Sequence, residues 1–254
     1  MNDSNSKDEA SGRGLDASAS RAQKRLIKKI HAHHAARRAA MQELFGLYAA
    51  EGEDEGARSM AMLLLREYEG DPPGTAAECL GLGVQMERAR RYDLAAWLYA
   101  MGVRHEPTEE DIWYWLNNNL GYSLNQMGEF TEAEYHCRAA IRCEPRRHNG
   151  HKNLGVALEG LGRYAEAARC YVIAANGAPW DLRAAEHLVL LARTHRGLIE
   201  ESVPEAVPLL ERYKGLAEIM DGPPQGEPVP GPETGGPAGD GSPRSRGRVR
   251  KKPS

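Results

Sequence analysis

Two segments of this chain repeat each other in register, 34 residues apart. The first runs from Asn119 to Pro145 and the second from Asn153 to Pro179, and both open with Asn-Leu-Gly. Between these landmarks, residues at matching offsets are identical or related in size: Gly128 and Gly162, Phe130 and Tyr164, Ala133 and Ala167, Cys137 and Tyr171, Ala140 and Ala174. Because a period of this length is typical of stacked helix pairs, the spacing predicts an all-α fold.

Each repeat carries small residues where its two helices should cross. Gly121 with Ala133, and Gly155 with Ala167, allow the helix axes to approach closely. Large residues then fill the seam between the helices: Leu120, Leu124, Phe130 and Ile141 in one repeat, and Leu154, Leu158, Tyr164 and Tyr171 in the next.

The ends of the helices are also marked in the sequence. Gly128 and Gly162 can adopt the left-handed conformation that ends a first helix, and Pro145 and Pro179 lie where a second helix must stop. Thr131 and Glu134 form a capping-box pattern with Phe130 just outside it, which predicts a second helix that begins there.

These residues resemble the tetratricopeptide repeat family, whose Leu-Gly, aromatic, Ala and Pro positions they match. An earlier unit fits the same offsets, with Arg90 in place of the turn glycine and its matching residues at Leu82, Gly83, Tyr92, Ala95, Tyr99, Gly102 and Pro107. Four extra residues separate this unit from the next, and we expect a loop near Glu110 to Trp113 to absorb them. The resemblance implies a tetratricopeptide-type superhelix, a right-handed solenoid of antiparallel helix pairs, and favours a bacterial protein.

The pattern divides the chain into five parts. Three repeats occupy residues 76–181, as units 76–109, 114–147 and 148–181. A basic helix and a degenerate repeat or N-terminal cap precede them at residues 21–75, and capping helices follow at 182–220, where Leu182 to Thr194 continues as a fourth first helix. Residues 1–20 and 221–254 have too little apolar surface to offset the entropy of ordering and are predicted to be disordered tails.

The resemblance also implies a binding surface. In this family the first helices line a concave groove, and the family's groove positions are carried over here to Trp115, Asn118, Asn119, Tyr122, Asn125, Gln126, Asn149, Lys152, Asn153, Val156, Glu159, Arg183, Glu186 and His187. An amide can donate and accept at once, so Asn119 and Asn153 could hold the backbone of an extended peptide, with Trp115 and Tyr122 as anchors. The alternative interpretation is that these asparagines are tolerated polar residues of a helix.

A second binding mode of the family, a clamp for a C-terminal carboxylate, is only half matched. Asn153 and Arg183 fit the clamp, whereas Asn118 and Tyr122 replace its first pair and His187 replaces its final arginine. We therefore do not expect the chain to bind chaperone tails.

Charge is distributed unevenly although the net charge is only −3. Residues 21–38 carry seven Lys or Arg and residues 244–252 carry six, with no acid in either stretch. Without those 13 bases the rest of the chain has 20 bases against 36 acids, a formal charge of −16. The basic ends could contact nucleic acid or an anionic surface, or dock on the acidic body of the chain.

No pattern of a cofactor site or catalytic site is visible. The cysteines, Cys79, Cys137, Cys143 and Cys170, form no CxxC pair and suggest reduced thiols. His31, His33 and His34 lack further converging ligands, so we predict no metal site. The N-terminus shows no signal peptide, and the apolar stretch Met60 to Leu65 is too short to span a bilayer.

Together these features predict a cytoplasmic, non-enzymatic scaffold without a cofactor, which binds an extended protein segment in its concave groove. The alternative is a protein that binds nucleic acid or an anionic surface through its basic ends. The sequence leaves the partner and the oligomeric state open.

Overall fold

A computed structural model describes residues 21–216, except for the side chains at positions 21–24, 26, 27, 29 and 30. Within this range the chain forms ten α-helices and two short 3₁₀ helices, and no strand. The predicted all-α fold is therefore confirmed. The two tails predicted to be disordered, 1–20 and 221–254, lie outside the described residues.

The chain divides into two compact units, Met1–Glu69 and Gly70–Ser254. In unit 1, α1 (Arg21–Glu51) packs against α2 (Asp54–Leu65), which a 3₁₀ turn (Arg66–Tyr68) follows. The core of this pair is formed by Phe45, Ala49, Ala57, Ala61 and Leu64, each at most 1% exposed.

Unit 2 consists of successive helix pairs. The first helices are α3 (Pro72–Arg88), α5 (Glu110–Met127), α7 (His148–Gly160) and α9 (Arg183–Ser202). Their partners, the second helices, are α4 (Tyr92–Arg104), α6 (Phe130–Cys143) and α8 (Tyr164–Gly177), while a 3₁₀ turn (Pro204–Ala206) and α10 (Val207–Arg212) follow α9.

The first helices also contact one another from pair to pair. α3 contacts α5, α5 contacts α7, and α7 contacts α9, whereas α4, α6 and α8 make at most marginal contact with each other. The first helices therefore form a continuous layer, here called the first-helix layer, and their closer approach places them on the inner side of any curve in unit 2.

The turns between paired helices adopt the predicted left-handed conformation. Gly128 has φ 82° and Gly162 has φ 74°. Arg90, which takes the place of glycine in the earlier unit, has φ 58°. A side chain with a Cβ pays a steric cost in this region, so the turn after α3 is strained where the two later turns are not.

The predicted close crossings are also present. A Cβ added to Gly155 would lie 2.4 Å from Cε1 of Tyr171, and one added to Gly121 would lie 2.5 Å from Sγ of Cys137. Each glycine therefore makes room mainly for a buried side chain of the second helix, Cys137 or Tyr171. The alanine at the crossing requires this space less.

Two local predictions were wrong. Glu110 to Trp113 do not form a loop but the first turn of α5, which has 18 residues against 13 in α7. The capping box at Thr131 and Glu134 does not form either, because Phe130 already belongs to α6 and no side chain caps that helix. The Glu134 carboxylate instead accepts hydrogen bonds from Arg138 and Arg163.

The last first helix departs from the repeat pattern. α9 continues beyond Thr194 to Ser202, with non-helical torsion angles at His195 (φ −126°, ψ 27°). The His195 ring stacks on Tyr164, with 3.8 Å between centroids. The 3₁₀ turn and α10 then pack on α9 in place of a full second helix, and the residues after 216 lie outside the described range.

Candidate functional site

All of the candidate binding residues lie on α5, α7 and α9, the three consecutive first helices at the C-terminal end of the first-helix layer. Their exposure separates them into two groups. Asn118, Asn119, Asn125, Lys152 and Asn153 are buried, with at most 7% of their surface exposed. Gln126 is exposed, and the half-buried residues are Trp115, Tyr122, Asn149, Val156, Glu159, Arg183, Glu186 and His187.

The buried asparagines bond to each other between helices. Nδ2 of Asn153 on α7 donates to Oδ1 of Asn118 on α5 over 3.1 Å, and Nδ2 of Asn125 donates to the Asn153 carbonyl oxygen over 2.8 Å. Asn118 in turn donates to Asn119 (3.0 Å), which donates to the Tyr99 hydroxyl of α4 (3.4 Å). These amides join α4, α5 and α7; a contact with a peptide backbone stays a prediction for them.

Asn125 leaves one atom without a partner. Its Oδ1 is the single side-chain polar atom, among the described residues, that is sealed from solvent and forms no hydrogen bond. A buried acceptor without a donor costs about 1–3 kcal/mol. The network of buried amides therefore contains one acceptor without a donor, Asn125 Oδ1.

Lys152 is a buried cation in the middle of this surface. It is 7% exposed, and no described residue forms a hydrogen bond or an ion pair with its Nζ. Nζ lies 5.8 Å from the centre of the Tyr122 ring, a cation–π distance. Burial, and after it the charge of Arg183, lower the pKa of Lys152 to about 8.

Arg183 at the start of α9 is already paired. Its Nε donates to Oδ1 of Asp181 over 2.8 Å, and its second contact, to Oδ1 of Asn149, is long at 3.5 Å. Burial would raise the pKa of Asp181, but the hydrogen bonds and charge of Arg183 hold it well below its usual range. His148 also contacts this carboxylate, with 3.1 Å between Nε2 and Oδ2.

His187 lies on α9, one turn after Arg183, and stacks on Tyr171. The ring centroids are 5.1 Å apart and the rings are nearly parallel. Burial, with the nearby charges of Lys152 and Arg183, lowers the pKa of His187 to about 4, so its imidazole is neutral at pH 7. The Tyr171 hydroxyl donates to Oε2 of Glu159 over 2.7 Å.

Trp115, one of the two predicted anchors, lies beside a cation. The Arg147 guanidinium is 5.4 Å from the Trp115 ring centre and 4.6 Å from that of Tyr114. Trp115 and Tyr114 also make an edge-to-face contact with 5.0 Å between centroids. These contacts hold the half-buried indole in place before any ligand arrives.

Glu87 on α3 belongs to the same interior, although the sequence analysis did not select it. It is 5% exposed, and the Ser123 hydroxyl of α5 donates to its Oε1 over 3.5 Å. Burial raises the pKa of Glu87 to about 7. A lone glutamate within an amphipathic helix normally occupies the solvent face, so no sequence pattern distinguishes this one.

The other candidates make no site in the described residues. No group of three or more His, Cys, Asp or Glu side chains converges there as a metal site would require. The four cysteines are free thiols, and burial raises the pKa of Cys79 and of Cys137 to about 12. On α1 the side chains of Arg25, Lys28 and Arg37 are exposed.

Comparisons with known proteins agree with this architecture. No family model matches the chain. The crystal structure of MamA protein superposes with a TM-score of 0.50 over 71% of this chain and 94% of MamA, at 18% identity. A second MamA structure, residues 41 to the end from Desulfovibrio magneticus RS-1, gives a TM-score of 0.47 over 71% of this chain and 97% of that one, at 14% identity.

A sequence relative matches only a short segment. Protein O-mannosyl-transferase Tmtc3 of Drosophila melanogaster is 39% identical over 57 residues, which are 22% of this chain and 6% of Tmtc3. The chain thus spans a small fraction of that relative's length.

The helix pairs, their 34-residue period and the likeness to MamA, itself a tetratricopeptide-repeat protein, define the class. The chain has the tetratricopeptide-repeat fold, which confirms the predicted resemblance. Among the described helices, none combines the length and the apolar character needed to cross a membrane.

Proposed function

We propose that this chain is a non-enzymatic adaptor that holds an extended segment of a partner protein against the first-helix layer of unit 2, in a bacterial cytoplasm. The observation that supports it is the row of partly exposed side chains on α5, α7 and α9. Tyr122 reaches Lys152, Asn149 reaches Arg183, and His187 follows one turn later. A segment that lay across these helices would meet an aromatic ring, a cation, amides and an imidazole in turn.

The buried amides support this function indirectly. Because Asn118, Asn125 and Asn153 bond across α5 and α7, the two helices cannot slide past each other without breaking hydrogen bonds. A surface held rigid in this way loses less entropy when it binds a ligand. The partly exposed residues, with Trp115 in the second turn of α5 and Gln126 in its last turn, would then make the direct contacts.

Site-specific photo-crosslinking tests this proposal. A benzophenone amino acid at Gln126, exposed on a first helix, is compared with one at Tyr135, which is 65% exposed on the second helix α6. The proposal expects a covalent partner from position 126 and none from position 135. Crosslinks from position 135 alone would place the partner on the opposite layer and contradict the proposal.

The alternative function uses the basic ends. The exposed Arg25, Lys28 and Arg37 on α1 favour contact with nucleic acid or another anionic surface, and the basic C-terminal stretch lies outside the described residues. Deleting residues 1–38 and 239–254 separates the two functions. Unchanged crosslinking at position 126 supports the adaptor, whereas loss of all capture, together with strongly salt-dependent binding by the full chain, supports the alternative.

A further inference from the structure

Unit 2 contains a buried charge that lacks a counter-ion. Lys152 is 7% exposed, and its ammonium contacts no carboxylate of the described residues within ion-pair distance. Removing an ammonium from water is costly unless an anion compensates it. Burial of this group therefore lowers the stability of the fold, because no described residue forms an ion pair with it.

The carboxylates whose charge reaches Lys152 are Asp181 and Glu87, and both form hydrogen bonds with other groups. Asp181 accepts hydrogen bonds from Arg183 and contacts His148. Glu87 accepts from Ser123, and Glu159 accepts from Tyr171. Each of these groups therefore has a different partner, and a rotation toward Lys152 would break an existing hydrogen bond.

The Lys152 nitrogen can still be reached from outside. Among the described side chains, Asn125 Oδ1 alone is both sealed from solvent and without a partner. Lys152 Nζ has no partner either, so it must keep some contact with solvent. A part of the ammonium surface is therefore open to a ligand atom.

The surroundings select the charge and the position of the ligand. Arg183 forms an ion pair with Asp181, and His187 beyond it is neutral at pH 7. Asp181 and Glu87 attract the Lys152 charge from beyond ion-pair distance. The site therefore offers one positive charge without a direct partner, which matches a single carboxylate better than a doubly charged phosphate. Lys152 also lies on α7, between α5 and α9. A segment that crosses all three helices passes Lys152 in its middle, which favours a side chain over a chain end.

We propose that Lys152 forms a largely buried ion pair with the side-chain carboxylate of an aspartate or glutamate in the bound segment. This inference rests on the adaptor function proposed above and specifies the partner as an extended segment with an acidic residue at its centre. The Tyr122 ring would cover the pair from the side of α5, and the neutral imidazole of His187 could donate one further hydrogen bond.

Selection from a random peptide library tests the inference. Twelve-residue segments are displayed internally, without a free C-terminus, and selected on the full chain, on Lys152→Met and on Lys28→Met, whose lysine is exposed on α1. We expect an acidic residue at one fixed position in peptides selected by the full chain and by Lys28→Met. Peptides selected by Lys152→Met should lack it.

The best peptide then gives the size of the effect. Replacing its acid with the matching amide should weaken binding at least about tenfold on the full chain, and less than about twofold on Lys152→Met. Lys152→Gln serves as a second variant, and the acid–amide comparison on the unchanged protein decides the question even if neither variant folds.

Each other outcome overturns a defined claim. Peptides without a preferred acid, or an acid preference that survives Lys152→Met, would disprove the ion pair and leave the adaptor function standing. Binders found only in a parallel library with free C-termini would assign Lys152 to a chain end and would likewise overturn the inference. If neither library yields a peptide for the full chain, both the adaptor function and the ion pair are wrong.

Discussion

The Lys152 ammonium on α7 points to the Tyr122 ring on α5 across 5.8 Å, and this is its one direct polar contact among the described residues. A cation–π contact contributes about 0.5–2 kcal/mol, which is less than the cost of burying an unpaired ammonium. The free protein is therefore less stable than its core alone would make it, and this imbalance can be measured.

Replacing Lys152 by Met should stabilise the free protein. The pKa of about 8, below the ordinary 10.5, means that the charged form is penalised in the folded state. The penalty is fully present below pH 8 and disappears as the pH rises toward 10.5, so the gain from Lys152→Met, about 1–3 kcal/mol at pH 7, should shrink over that window. Urea unfolding of both proteins at pH 7 and pH 10 measures this difference, and an equal gain at both values would contradict it.

Glu87→Gln should stabilise the protein in the opposite pH range. Because the folded-state pKa of Glu87 is raised to about 7 from 4.5, its contribution to stability is complete below pH 4.5 and is lost as the pH rises through 7. We expect Glu87→Gln to raise the unfolding free energy at pH 8 by about 1–3 kcal/mol, with little change at pH 4.5. Glu78→Gln, at a half-buried glutamate on the same helix, is the control for a general charge effect.

Arg90→Gly should relieve backbone strain. Arg90 has φ 58° in a turn where Gly128 and Gly162 serve in the later repeats, and the change should add about 0.5–1 kcal/mol to stability. The matched reverse change is Gly128→Ala, because a Cβ there meets no atom within 4 Å and only the torsion angle matters. It should lose about 1 kcal/mol, and thermal melts of both variants would show opposite shifts.

Gly155→Ala should be far more damaging than its size suggests. The new Cβ would lie 2.4 Å from the buried Tyr171 ring, so α7 and α8 must separate, at a cost of about 2 kcal/mol or more. Gly81→Ala on α3 is the control, because its Cβ meets nothing within 4 Å and alanine favours a helix by about 1 kcal/mol. A melting temperature that falls equally in both variants would mean that helix propensity, and not the crossing, decides the result.

Asn153→Ala should lower stability as well as any affinity for a ligand. Its Nδ2 donates to Asn118, and removing it leaves that buried acceptor without a donor, at a cost of about 1–3 kcal/mol. The Asn149 amide has, among the residues that the structure describes, only the 3.5 Å contact with Arg183, so Asn149→Ala should change stability by less than about 0.5 kcal/mol. Chemical unfolding followed by circular dichroism compares the two; an unchanged midpoint for Asn153→Ala would show that the amide network carries no stability.

The sequence predicted the repeat better than it predicted the site. Glycine and proline positions determine turns and helix ends through local sterics, so Gly128, Gly162 and even Arg90 could be assigned from spacing alone. The burial of Asn118 and Asn153 could not be predicted from the sequence. The same helix position faces either a ligand or the next helix, depending on how closely α5 and α7 pack. The four residues Glu110–Trp113 could likewise extend a helix or form a loop, and only packing decided.

The break in α9 also limits how the molecule could be enlarged. His195 interrupts the helix and stacks on Tyr164, and the short α10 covers the surface where a regular second helix would pack. A duplicated copy of residues 148–181 could therefore be inserted before residue 182, where it would meet a compatible helix on each side. The same insertion after Ser202 would meet no complementary helix face. Gene duplication can therefore lengthen this array by adding a repeat inside it, and not by adding one after α9.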